Sequence, residues 1–83
     1  MILEIAAFSA GAAIKAAQLG AHRIELCNGY SNGGLTPTTA ALRTVKESVD
    51  IPVFVMIRCR EGNFTYTQGE IQLMQHEITA LKD

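Results

Sequence analysis

Cysteine, proline and aromatic residues are scarce in this sequence, and tryptophan is absent. The 83 residues include two cysteines, two prolines, two tyrosines and three phenylalanines. Two cysteines are too few for the disulfide framework that stabilises small secreted domains. We therefore predict free thiols in a reducing compartment and a cytoplasmic location.

Charge of one sign and long apolar runs are also lacking. The formal net charge is -1, so no overall positive field would draw the chain to nucleic acid or to an anionic membrane. The longest uncharged run, residues 26–42, contains glycine, asparagine, serine and proline and does not suit a membrane span. We predict neither kind of partner. Hydrophobic residues make up 48% of the chain, which indicates a folded domain with a core.

Strand and helix patterns alternate three times along the chain. Short apolar runs predict strands at residues 2–6, 23–27 and 53–58. Helical patterns follow at residues 10–19, at residues 36–48 and from residue 67 onward. This order predicts a parallel α/β sheet with right-handed crossovers. Because a TIM (β/α)₈ barrel needs about 250 residues, we interpret residues 1–83 as one partial domain, the first three units of such a barrel. The chain is then either a fragment or needs other copies to cover its open edges, and we expect a homo-oligomer.

Three of the predicted helices begin with capping signals. Ser9 can cap the first helix through its side-chain oxygen. Thr36 and Pro37 suit the N-cap and first position of the second helix, because proline fixes φ near the helical value where its missing N–H costs nothing. Thr67 and Glu70 form a capping box for the third. We expect these residues to set where the helices begin.

Three charged residues fall on one face of the predicted sheet. Side chains alternate across a strand, and the larger aliphatic residues suit the helix layer, so Glu4, Glu25 and Arg58 point to the barrel axis. Buried charges are tolerable only when paired, so we expect the three to interact. The cluster either fixes strand register or forms a catalytic set, with a carboxylate as general acid or base beside Arg58.

Four segments together resemble the CutC copper homeostasis family. They are the stretches RIELC at 23–27, GGLTP at 33–37, IPV through MIR at 51–58 and GNFTY at 62–66. The resemblance covers nearly all of the chain and about the first third of a family member. It implies a cytoplasmic TIM barrel that is often oligomeric, that is proposed to bind Cu(I) and that has no firmly assigned enzymatic reaction.

Two positions depart from the family pattern. Ala6 stands where many members have a cysteine, and Cys59 lies between two arginines where the family usually has proline. Cys27 is then the leading candidate ligand for Cu(I), which prefers soft sulfur ligands. The alternative interpretation makes each cysteine a small apolar filler. We expect Cys59 to face away from Cys27, and we interpret Met56 as a core residue.

A second candidate site binds an anion rather than a metal. Free N–H groups at a helix N-terminus favour an anion, and two arginines at the next strand end can grip a carboxylate or phosphate bidentately. The candidate residues are Gly33, Gly34, Thr36, Arg58 and Arg60. The alternative is that the glycines serve a tight turn and the threonine only caps its helix.

Three functions therefore remain open at the level of sequence. The first is a copper homeostasis protein that binds Cu(I) through Cys27. The second is a TIM-barrel enzyme for a small anionic substrate, with Glu4 or Glu25 as acid or base and Arg58 and Arg60 holding the anion. The third is an inactive, truncated barrel fragment whose polar cluster is structural.

Overall fold

Strands and helices alternate in the structure, as the sequence predicts. The computed structural model describes residues 1–82. Its elements are β1 (Glu4–Ala7), α1 (Ala10–Gln18), β2 (Arg23–Leu26), a 3₁₀ turn (Tyr30–Asn32), α2 (Thr39–Ser48), β3 (Val53–Val55) and α3 (Gln68–Lys82). The three strands form one parallel sheet in the order β1-β2-β3. The chain is therefore a mixed α/β protein in which each strand is followed by a helix.

The core lies between one face of the sheet and the helices. Ile24, Leu26 and Val45 are fully buried there. Ala13 of α1 is also fully buried, and its small side chain lets the helix pack closely on the strands. The opposite face, which we call the open face, carries Glu4, Arg23, Glu25 and Phe54. The side chain of Phe54 is 53% exposed, so no helix among residues 1–82 covers this face.

Two of the predicted caps are confirmed. The Ser9 side chain accepts a hydrogen bond from the Ala12 N–H at 3.1 Å. At the start of α3, the Thr67 N–H donates to Glu70 Oε1 at 2.8 Å, and the Glu70 N–H donates to Thr67 Oγ1 at 3.2 Å. These reciprocal bonds satisfy N–H groups that a helix start otherwise leaves free.

The second helix begins later than predicted. Thr38, and not Thr36, is its N-cap, and the Thr38 side chain accepts from the Ala41 N–H at 3.0 Å. Thr36 is unavailable because its Oγ1 accepts from the Arg58 N–H at 2.8 Å, while its own N–H donates to the Arg58 carbonyl at 3.0 Å. The prediction that Thr36 caps the helix was therefore wrong.

The third strand is shorter than predicted. It ends at Val55, although the Met56 N–H still donates to the Leu26 carbonyl of β2 at 3.0 Å. Arg58 lies beyond the strand and pairs with the loop before α2. Among residues 1–82, no helix is both long enough and apolar enough to cross a membrane.

Candidate functional site

The expected cluster of Glu4, Glu25 and Arg58 does not form. Glu4 is the first residue of β1, at the amino end of the sheet, and its Oε1 lies 2.7 Å from Arg23 Nε. Both side chains are about 40% exposed, so the ion pair adds little stability. Arg58 lies beyond the end of β3 and binds elsewhere. The three residues thus do not compensate one another, and Arg23 is the partner that the sequence analysis missed.

Arg58 joins two loops at the carboxyl end of the sheet. Its Nη1 donates to the carbonyls of Asn32 at 3.1 Å and Gly34 at 3.2 Å, and its Nη2 donates to the carbonyl of Gly62 at 2.9 Å. The guanidinium carbon lies 4.8 Å from the ring centroid of Phe64, within cation–π distance. We call this guanidinium with its three carbonyls the Arg58 anchor. It fixes the loop after β2 against the loop after β3.

Arg60 is also occupied by protein acceptors. Its side chain makes a two-bond ion pair with Glu70, and its Nη2 donates to the carbonyl of Thr65 at 2.7 Å. The hydrogen bonds from Arg60 lower the pKa of Glu70 and keep that carboxylate ionised. The Arg60 guanidinium lies 4.9 Å from the centroid of the Tyr66 ring. Neither arginine therefore has a pair of adjacent guanidinium N–H groups free to bind an anion bidentately.

The two loop glycines have conformations that other residues rarely adopt. Gly33 has φ 81° and Gly34 has φ 103°, in the region that favours glycine. A Cβ on Gly33 would lie 3.2 Å from Arg58 Nη1, which is tighter than an ordinary contact. These glycines thus serve the turn and the Arg58 anchor. The proposed anion residues are neighbours in space, but their donors point to protein oxygens.

Cys27 is buried at the carboxyl end of β2. It is 3% exposed, and its Sγ lies 3.8 Å from Glu25 Oε1. Burial, reinforced by the negative charge of Glu25 and by the contact between the two side chains, raises the pKa of the Cys27 thiol to about 11. The thiol is therefore protonated at neutral pH. Cys59 is half-buried, and both cysteines are free.

A cavity of about 230 Å³ reaches Cys27 from between the first turns of α1 and α2. Its wall includes Phe8, Ser9, Cys27, Asn28, Pro37 and Thr38. A larger cavity of about 410 Å³ lies between α2 and α3, beside Arg43 and Leu81, and it contains none of the predicted site residues. The smaller cavity is consequently the better candidate for a ligand site.

The arrangement defines a class of protein: consecutive parallel β/α units whose sulfur and polar side chains gather where the strands end. In family comparison, the model of the CutC family matches residues 1–83. The chain belongs to the CutC family.

Individual relatives agree with this assignment. A human copper homeostasis protein cutC homolog is 48% identical over 81 residues, which cover 98% of this chain and 30% of the human protein. A CutC family protein of Enterobacter sp. strain 638 is 45% identical over 82 residues, covering 99% of this chain and 33% of that protein. The crystal structure of CutC from Streptococcus agalactiae matches with a TM-score of 0.83 and 31% identity, covering 99% of this chain and 41% of that one. The chain spans about a third of the length of these curated relatives.

Replacing Glu25 with glutamine should make the Cys27 thiol more reactive. The change removes a negative charge that, together with burial, raises the pKa of Cys27, so more thiolate is present at a given pH. We expect the pH profile of Cys27 alkylation to move to lower pH and the rate at mildly alkaline pH to rise severalfold. Mass spectrometry of iodoacetamide-treated protein measures this rate.

The alkylation experiment needs two controls. A Cys59→Ser background leaves Cys27 as the reporting thiol, and Glu47→Gln on the exposed side of α2 tests for a general charge effect. If Glu25→Gln leaves the profile of Cys27 unchanged, the close approach of Glu25 to the sulfur does not control its ionisation.

Proposed function

We propose that this chain is the opening part of a CutC-type (β/α)₈ barrel that takes part in copper homeostasis by holding Cu(I) as cargo at the carboxyl ends of its strands. The observation that carries the proposal is the buried Cys27 sulfur on a cavity at this end of the sheet. Thiolates select soft Cu(I), and relatives of this chain are named copper homeostasis proteins. Residues 1–83 then form one partial domain, which other copies of the chain cover.

Cys27 brings a soft donor to a cavity whose other polar side chains are Ser9, Asn28 and Thr38, and a soft donor favours Cu(I) over harder cations. Cys27 supplies a soft sulfur ligand, whereas the open face beside it offers Ala6 on β1 and no second thiol there. Because the thiol is protonated at neutral pH, Cu(I) has to displace that proton, and binding weakens as the pH falls. The free thiols also suit a reducing compartment, which supports a cytoplasmic location.

An enzyme acting on a small anionic substrate is the weaker candidate. It needs Arg58 and Arg60 as anion ligands, and their donors bind backbone carbonyls and Glu70. It also needs Glu4 or Glu25 as acid or base beside Arg58, whereas the Arg58 guanidinium donates to backbone carbonyls on the two loops. An inactive fragment is the outcome if neither ligand binds.

Cys27→Ser should remove most of the Cu(I) affinity. Loss of groups that only support a metal ligand typically weakens binding 10- to 100-fold, so loss of the sulfur itself should cost about 100-fold or more. Competition with a chromogenic Cu(I) chelator under anaerobic, reducing conditions measures the affinity. Cys59→Ser is the matched control and should bind like the parent. Binding that survives Cys27→Ser would refute this site, and phosphate binding without Cu(I) binding would favour the enzyme.

A further inference from the structure

Cys27 has a second sulfur residue as its neighbour on the adjacent strand. Leu26 of β2 is paired with Val55 of β3, so the residues that follow them, Cys27 and Met56, stand side by side as the strands end. The Met56 N–H still donates to the Leu26 carbonyl, which keeps this register one residue beyond β3. Neighbouring strands lie about 4.8 Å apart, so the two side chains leave the sheet at close range.

The Cys27 and Met56 side chains also lie on the same face of the sheet and contact the same space beside Gly34. Alternation along β2 and β3 places Cys27 with Glu25 and Met56 with Phe54, and Glu25 is paired with Phe54. A Cβ built on Gly34 would lie 3.9 Å from Cys27 Sγ and 3.8 Å from Met56 Cε. Both sulfur side chains therefore converge on the space that Gly34 leaves by having no side chain.

We propose that Met56 is the second soft ligand of the Cu(I) site, so that the ion lies between the Cys27 sulfur and the Met56 thioether beneath the Gly34 backbone. This inference rests on the proposed function and names the ligand pair of the same site. It also assigns a binding role to a methionine that the sequence analysis interpreted as core.

The chemistry of the pair suits a monovalent soft ion. The Cys27 S–H bond breaks, its proton leaves to solvent or to the adjacent Glu25 carboxylate, and the thiolate forms one bond to Cu(I). The Met56 thioether donates a lone pair and has no proton to lose. No electron is transferred, and the copper stays Cu(I). The flexible methionine side chain lets its sulfur turn toward the ion without moving the strand.

The Gly34 backbone beside this site is fixed by Arg58. The Gly34 carbonyl accepts from Arg58 Nη1 at 3.2 Å, which fixes the Gly34 backbone beside the Cys27 and Met56 side chains. The edge of Phe8 lies 3.6 Å from the same Cβ position and closes the wall toward β1. The two side chains thus meet apolar and backbone atoms at Gly34 and Phe8, while Glu25 Oε1 lies 3.8 Å from the Cys27 sulfur. The selectivity for Cu(I) over harder cations then comes from the two sulfur donors themselves.

Met56→Leu tests the proposal because leucine keeps the volume and removes the sulfur. The full chain with Cys59→Ser is loaded with Cu(I), and affinity is measured by chelator competition. We expect Met56→Leu to weaken binding about 10- to 100-fold and to leave thermal unfolding of the apoprotein nearly unchanged. Met74→Leu, a change in a half-buried methionine of α3, should bind like the parent.

X-ray absorption at the copper edge independently measures the number of sulfur ligands on the bound Cu(I). The parent should show two sulfur ligands and Met56→Leu one, and Met56→Cys should restore two sulfurs and bind at least as tightly as the parent. If the parent binds through Cys27 but Met56→Leu changes neither affinity nor sulfur number, the role of Met56 is refuted and the proposed function stands. If the parent does not bind Cu(I), the proposed function itself fails.

Discussion

Arg58→Met should free the loops at the carboxyl end of the sheet and destabilise the fold. Three carbonyls lose their charged donor at once, and Phe64 loses its cation–π partner. A hydrogen bond to a charged group contributes about 1.5 to 3 kcal/mol when well shielded. Because the anchor is only partly buried, we expect a total loss of about 2 to 4 kcal/mol in the free energy of unfolding.

Two measurements separate this effect from general damage. Chemical denaturation gives the loss of stability. In hydrogen exchange, Arg58→Met should accelerate the amides of residues 33–34 and 62–64, relative to the parent, more than it accelerates the amides of α1. Arg43→Met, on the exposed side of α2, removes the same charge without an anchor and should be near neutral. Equal stability of Arg58→Met and parent would mean that the anchor contributes nothing.

The same variant distinguishes the observed anchor from the expected ion cluster. If Arg58 compensated Glu4 and Glu25, changing both acids to glutamine would restore the stability of Arg58→Met, because no unpaired charge would stay buried. In the structure Glu4 contacts Arg23, and Arg58 binds carbonyls. We therefore expect the two glutamines to bring no recovery. Recovery of most of the lost stability would contradict the observed arrangement.

The order of elements and the division of faces were predictable from local pattern. Alternation along β2 buries Ile24 and Leu26 and leaves Glu25 on the other side, because the strand period is two whatever the partner strands do. The caps at Ser9 and Thr67 depend only on residues three positions away. Side-chain alternation and local caps of this kind do not depend on how the helices pack on the sheet.

The ends of β3 and α2 could not be predicted in this way. Thr36 followed by proline is a good local start for a helix, but its hydroxyl accepts from the Arg58 N–H and donates to Glu77 Oε1 at 3.1 Å. Both partners are more than 20 residues away in sequence. The residue that caps the helix is thus decided by contacts between loops, and Thr38 takes the role.

The contents of the candidate site depended on strand register. Parity placed Glu25 and Cys27 on one face, but only the pairing of Glu4 with Arg23 shows which charges meet. The same holds for Cys27 and Met56, which become neighbours because Leu26 is paired with Val55. Side-chain alternation fixes a face, whereas register between strands fixes a neighbour.

The chain should associate with copies of itself in solution. The open face exposes 53% of Phe54, and the residues just before β1 add Ile2 at 67% and Leu3 at 45% exposure. Within residues 1–82, β1 and β3 also each have one edge without a strand partner. Exposed apolar side chains and free strand edges both favour association, so a second copy is the occupant that we propose.

Phe54→Lys tests this association because it places a charge in the middle of the open face. We expect sedimentation velocity of the parent to show a mass that rises with concentration, and Phe54→Lys to shift it strongly toward the monomer. Leu19→Lys is the matched control, since Leu19 is 75% exposed at the end of α1, away from the sheet. Association that is equal in the parent and Phe54→Lys would exclude the open face as the interface. A parent that stays monomeric at all concentrations would refute self-association altogether, and a chain of only 83 residues would then keep Phe54 and two free strand edges exposed to water.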